Sequence, residues 1–267
     1  PLQEALQKKK VKITEKKDGG EVNSLVIENI SADTIIIISG DIVKGGKQDR
    51  IVQEDIVLKP KTGKKDMKVF CVESGRWSPS TVSTSGNRNT VRNSAAVREP
   101  ESFNGTFNKG SMSLRKVVEK EKDQSKVWSK VDEINNDNKT STVTKTYTAI
   151  NSSADYSKKL DGYLNFFRNK FLDDPAIIGV VVVTGNRVLG CDMFATNNLF
   201  KTQFQSLLHS YATEAILKGK PVIATTQVVK GYTDQLMANE NMQQVTLKQK
   251  GNAFVDKGKK LRVSSFE

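Results

Sequence analysis

The segment TIIIISGDIVKGGKQDR, residues 34–50, decides the fold class. Its first part is a β-branched run from Thr34 to Ser39, and such side chains fit the pleated surface of a buried strand. Gly40 and Asp41 break the run, Ile42 to Lys44 resume it, and Gly45 and Gly46 break it again. Strand signals continue outward on both sides. Upstream lie Glu21–Asn29 and a Lys-rich lead-in, Leu2–Lys17, in which Lys10–Glu15 alternates like an edge strand. Downstream lie Arg50–Leu58, a turn carrying Pro60 and Gly63, and Met67–Glu73. Residues 1–77 therefore read as almost entirely β.

At Ser78 the composition shifts. Residues 78–111 are dominated by Ser, Thr, Asn and Gly, and a stretch of that length without its own elements is either a functional loop or disorder. Helical spacing appears at Ser113–Lys122 and Gln124–Asn136, as one kinked helix or two, and Lys139–Ile150 reads as a strand or a stiff linker. Asp155–Phe171 is an amphipathic helix, with Tyr156, Leu160, Tyr163, Leu164 and Phe167 at helical intervals. Ala176–Val183 and Val188–Asp192 form a hairpin, and Asn198–Lys218 a long helix ended by Gly219. Thr225–Val229 and Met242–Gln249 read as strands, and Asn252–Asp256 with Lys260–Ser265 as a terminal hairpin. The class is α+β: a β-rich N-terminal half followed by a helix/strand C-terminal half, expected to form one compact unit. The divisions are a motif-bearing part at 1–77, a polar loop at 78–111 and an α+β part at 112–267, with a single domain at 20–267 as the alternative.

The chain has 267 residues, long enough for a sizeable core, and no apolar run approaches the roughly 20 residues that span a bilayer. Its 42 Lys and Arg outnumber 30 Asp and Glu, a net charge of +12. The excess is dispersed and lacks interleaved aromatics, so a solubilised surface is the expectation and nucleic acid is an unlikely partner. Cys71, Cys191 and His209 are the only Cys and His, too few and too scattered for a zinc site, and the two cysteines read as buried free thiols. The chain begins Pro1-Leu2 without Met, which tilts the expectation slightly to an extracytoplasmic protein. Oligomeric state is not legible.

The densest polar cluster is Gly40 to Arg50. Glycines permit positive φ, and successive amides in such a turn make an anion-binding concavity that Lys44, Lys47 and Arg50 would complement. A P-loop is excluded, because GxxxxGK[ST] is missing and no helix follows. The plain alternative is a hairpin turn with solvated charges. A second cluster, CVESGRW at 71–77, sets Cys71 and Glu73 on one strand face, with Arg76 and Trp77 beyond Gly75. The chain holds 33 Lys and 9 Arg, yet five of the nine Arg lie between Arg76 and Arg115, in the span that contains Arg88, Arg92 and Arg98. Arg suits bidentate recognition of phosphate or carboxylate. In the long helix, Ser206, Ser210 and Glu214 form a stripe at four-residue spacing.

GGKQDR at 45–50 and CVESGRW at 71–77 resemble the motifs of an uncharacterised prokaryotic domain family named for its association with ADP-ribosylglycohydrolase and rhodanese-phosphatase proteins. Weaker agreement extends to Val127-Trp128 and to Ser210-Tyr211-Ala212, so the resemblance covers most of the chain. It supplies no reaction. It implies a functional site at 40–50 and 71–77 and, through the neighbours in its name, a link to nucleotide or ADP-ribose metabolism.

The leading expectation is a domain that binds an anionic small molecule, a phosphosugar or nucleotide. Its site would use Lys44, Gly45, Gly46, Lys47, Gln48, Asp49, Arg50, Glu73, Arg76, Trp77, Arg88 and Arg92. The first alternative is a hydrolase of a phosphoester or ADP-ribose-like bond, with Asp41, Asp49 or Glu73 as base or as ligands of a Mg²⁺ ion. The second is a structural or interaction protein of the cell envelope, whose motif corner is a charge-clamped turn.

Overall fold

In a computed structural model of the chain, which describes residues 1–16, 21–75, 102–171 and 173–267, the class is α+β. The N-terminal half opens with helix α1 (Leu2–Gln7) and continues through β1 (Val11–Thr14), β2 (Ser24–Asn29), β3 (Ile35–Ile37), β4 (Ile42–Gly45), β5 (Arg50–Val52), β6 (Ile56–Leu58), β7 (Lys65–Cys71) and β8 (Phe103–Phe107). Six of these strands form one antiparallel sheet in the order β1-β2-β7-β5-β4-β8. A bridge between Thr14 and Ser102 joins its two edges, so the sheet closes on itself. Alternation then sorts the side chains. Leu25, Ile27, Val43, Val52, Val69 and Phe103 belong to one cluster inside the closed sheet, with Leu2 and Ala5 of α1 packed against it. Ile42, Ile51, Phe70 and Val72 point the other way, into a second and larger core. β3 and β6 pair separately as a two-stranded ribbon.

That second core is supplied by α2 (Met112–Lys116), a π turn at Val117–Glu121, α3 (Gln124–Asp137), a 3-10 turn at Tyr147–Ser152, α4 (Ala154–Phe167) and the long α5 (Asn197–Lys218). β9 (Gly179–Thr184), β10 (Arg187–Phe194), β11 (Gly251–Asp256) and β12 (Lys259–Phe266) form an antiparallel sheet in the order β11-β12-β10-β9. Phe194 and Phe266 face the large core. On the opposite face Cys191 and Val263 meet Leu236 and Leu247 of α6 (Thr226–Met237) and α7 (Glu240–Lys250). No helix among the described residues is long and apolar enough to cross a membrane.

Several elements differ from the sequence reading. Thr225–Val229 and Met242–Gln249 lie in helices α6 and α7, not strands. Thr225 and Asn239 cap them, accepting from the N–H groups of Val228 and Met242, and single buried residues such as Leu236 and Leu247 anchor them to the sheet. Capping and one-sided burial outweigh the β-branched content. Arg50–Leu58 is two strands in different sheets, interrupted where the Asp55 carboxylate accepts the Ser39 N–H at 2.7 Å. Phe103–Phe107, placed in the loop by its Asn-Gly-Thr content, pairs with β4. Part of the Lys-rich lead-in is helical, and Lys139–Ile150 ends in a 3-10 turn.

Candidate functional site

The motif corner is the β4–β5 turn and the end of β7 beside it. Gly45 and Gly46 take φ of +124° and +54°, a left-handed region that glycine enters at no steric cost. At position 46 glycine is also required by packing, since a Cβ there would lie 2.4 Å from the Phe103 ring. The close neighbour is thus the protein's own core. The turn's amides already have internal acceptors: the Lys47 N–H donates to Glu15 Oε1 at 3.0 Å and the Gly46 N–H to the Ser102 carbonyl at 3.2 Å.

The side chains follow the same pattern. Arg50 is fully buried; its Nη1 donates to the Gln48 carbonyl at 2.8 Å, its Nε to the Val22 carbonyl at 3.1 Å, and its Nη2 lies 3.7 Å from Glu15. Gln48 Nε2 donates to the Glu73 carbonyl at 2.8 Å, and the Asp49 N–H to Glu73 Oε2 at 3.0 Å. Asp49 Oδ2 accepts from the Thr146 hydroxyl at 3.1 Å. Gln48, Asp49, Arg50 and Glu73 are all buried, Lys47 is half-buried, and only Lys44 is exposed. Arg76, Trp77, Arg88 and Arg92 lie outside the described residues. Burial raises the Cys71 thiol, and it pushes Cys191 up to about 11, so neither sulfur is poised as a thiolate. Both thiols are free and buried.

Asp41 does not join Asp49 and Glu73. It sits at the other end of the β4–β5 hairpin, where its Oδ1 accepts from Lys109 Nζ at 2.6 Å and from the Ser206 hydroxyl at 3.3 Å. Among the described residues, no group of three His, Cys, Asp or Glu side chains is arranged to hold a metal ion. The helical stripe is equally internal: Glu214 accepts the Ser113 N–H at 2.9 Å, and Ser210 is buried.

A second polar cluster, which the sequence reading missed, lies between the two sheets. Arg262 donates to both oxygens of Asp55, at 2.8 and 2.9 Å, and to Asp192 Oδ1 at 2.7 Å. Arg115 grips Asp192 through two bonds of 3.0 and 2.7 Å, and the Tyr211 hydroxyl donates to the same carboxylate at 2.7 Å. Glu119 accepts from Ser264 at 2.6 Å and from Ser39. Burial alone would raise Asp192; the Arg115 and Arg262 guanidiniums reverse that and hold it well below the usual carboxylate range. Asp55 goes the other way, because burial outweighs the single arginine facing it. The available signal was the choice of Arg at 115 and 262 in a chain that otherwise prefers Lys.

A cavity of ligand size lies elsewhere. A cleft of about 600 Å³ opens between α4 and β9, with α5 as its floor. Tyr163 and Phe167 wall one side, Val180 to Val183 the other, and Leu208 and Ala215 lie beneath. Thr184 and Lys220 stand at one end. Lys220 is exposed, and no carboxylate among the described residues pairs with it. The sequence signal was the unbroken Val180–Val183 run, whose lack of alternation marks a strand with apolar surroundings on both faces.

One family model matches the chain, over residues 1–266: the ARG and Rhodanese-Phosphatase-superfamily-associated Protein domain. No curated protein and no solved structure matches it.

Proposed function

The chain belongs to the ARG and Rhodanese-Phosphatase-superfamily-associated Protein domain family, and within it we propose a binding domain that takes an elongated, mostly apolar ligand carrying negative charge at one end. The observation that carries the proposal is the α4–α5–β9 cleft. Its volume of about 600 Å³ lies in the range of ligand sites, its walls are aliphatic and aromatic, and its one cation among the described residues, Lys220, stands at an end rather than in the middle. A ligand with an anionic head and an apolar body matches that distribution.

The motif corner supports the protein instead of the ligand. An anion arriving at the Gly45–Lys47 amides would compete with Glu15, which already accepts the Lys47 N–H. Arg50 donates to two internal carbonyls and lies wholly inside. These contacts favour a charge-clamped turn over a phosphosugar or nucleotide site there. The metal-assisted hydrolase is less favoured, since Asp41 is separated from Asp49 and Glu73 by the length of β4.

A thermal-shift panel at constant ionic strength tests this. Dodecanoate at 100 times its dissociation constant should add about 2.7 kcal/mol of stability, whereas ADP-ribose and glucose 6-phosphate should leave the midpoint unmoved. Ala215→Phe, which fills the cleft from its floor, should remove the dodecanoate shift. Lys220→Glu should weaken it. A shift with ADP-ribose that survives Ala215→Phe would move the site back to the motif corner.

A further inference from the structure

β9 is an edge strand. Among the described residues it pairs with β10 alone. The Phe194 N–H donates to the Ile178 carbonyl at 2.8 Å, so antiparallel alternation turns the N–H and C=O groups of Gly179, Val181 and Val183 away from β10. Among the described residues, no hydrogen bond reaches those groups from elsewhere. Their outlook is the cleft. A strand that lined a cavity with one face would contribute every second residue, yet β9 contributes five in succession, Val180 to Thr184. The space therefore touches the edge of the strand, backbone included.

An apolar small molecule would leave those donors and acceptors unanswered, whereas an extended peptide would pair with them. We propose, resting on the cleft as the binding site, that its occupant is an extended peptide segment of another protein, rich in β-branched residues. It adds an antiparallel strand to β9 and brings an acidic residue at its N-terminal end beside Lys220. The orientation follows from position: Lys220 stands at the Thr184 end of β9, where the Lys220 N–H donates to Thr184 Oγ1 at 2.8 Å, and an antiparallel partner begins at that end. Added strands gain affinity from main-chain bonds and selectivity from alternate side chains. Here alternate residues would meet Leu208 and Ala215 on the floor. A second copy of the chain fits less well. Tyr163 and Phe167 wall the side opposite β9, where a sheet edge that carries its own α4 would have to enter.

The test uses the full chain and fluorescence anisotropy of the labelled peptide acetyl-Asp-Val-Thr-Val-Thr-Val-amide, with two N-methylated versions that block alternate sets of amides. One set faces β9 and its methylation should weaken binding at least tenfold; the other faces outward and its methylation should leave binding within threefold. Val181→Pro removes an N–H that points away from β10, a position where edge strands accept proline. It should lower peptide affinity at least tenfold, and by a larger factor than it lowers dodecanoate affinity. The N-methylated peptides decide the matter if that variant fails to fold. Equal loss, or no loss, for both methylated peptides overturns the strand addition. Dodecanoate binding without peptide binding overturns the peptide and leaves the cleft; binding of neither overturns both. A concentration-dependent dimer that Val181→Pro abolishes would assign the edge to a second copy and overturn the peptide.

Discussion

Gly46 and Arg50 show how a motif whose composition suggests a binding turn comes to pack its side chains inward. A glycine pair followed by Lys, Gln, Asp and Arg has the composition of an anion-binding turn, and composition cannot tell whether a close neighbour is a ligand or a phenyl ring. Phe103 is 57 positions from Gly46, and the approach of the two exists only once β8 pairs beside β4. Gly46→Ala should lower stability in urea denaturation through two effects: about 1–2 kcal/mol for a left-handed non-glycine residue and about 1–3 kcal/mol for overpacking against the ring. A variant as stable as the parent would contradict this. Arg50→Ala leaves Glu15 buried beside an empty space and should cost about 3–5 kcal/mol, whereas Lys44→Ala, on the exposed side of the same turn, should stay within about 0.5 kcal/mol. The residue types in the corner were legible in the sequence. Their inward direction was not, because it depends on partners as distant as Val22, Glu15 and Thr146.

At the level of elements, the sequence was most informative where period and caps agreed. α5 falls within one residue of its expected bounds and the β9–β10 hairpin within three, because each couples a clear hydrophobic pattern to a stop signal such as Gly219 or the Thr184–Arg187 turn. α6 and α7 were misread because local β-branched content competed with long-range burial of one face. α5 also carries the only histidine. Burial, together with Arg168, holds the His209 imidazole down at about 4, below the ordinary 6.5. The folded chain keeps this side chain neutral while the unfolded chain takes up a proton below about pH 6.5. Its contribution to stability is therefore complete above that pH and is lost as pH falls toward 4. His209→Gln should lose less urea resistance than the parent between pH 7 and pH 5. Identical slopes for the two proteins would contradict the buried neutral state.

At the scale of the molecule, three polar and apolar systems divide the work. The closed sheet sequesters the motif side chains at one end. The Arg115–Arg262 cluster ties Ser39 and Asp55 of the N-terminal half to Glu119, Asp192 and Ser264 beyond it, and buried carboxylates held by two arginines are costly to separate. Neither system was visible in the sequence, since partners such as Asp49 and Thr146, 97 positions apart, or Asp55 and Arg262, 207 apart, meet only in the fold. The cleft is the third, built among the described residues from the C-terminal half and open where the other two are filled. The claim that the recognition surface is the cleft and not the motif is tested most directly by methyl NMR of Ile-, Leu- and Val-labelled protein titrated with dodecanoate. The account predicts that the methyls of Val180, Val182, Leu189 and Leu208 shift together while Ile42, Val43, Ile51 and Val72 around the corner stay fixed. Shifts confined to the corner methyls, with the cleft unchanged, would contradict it.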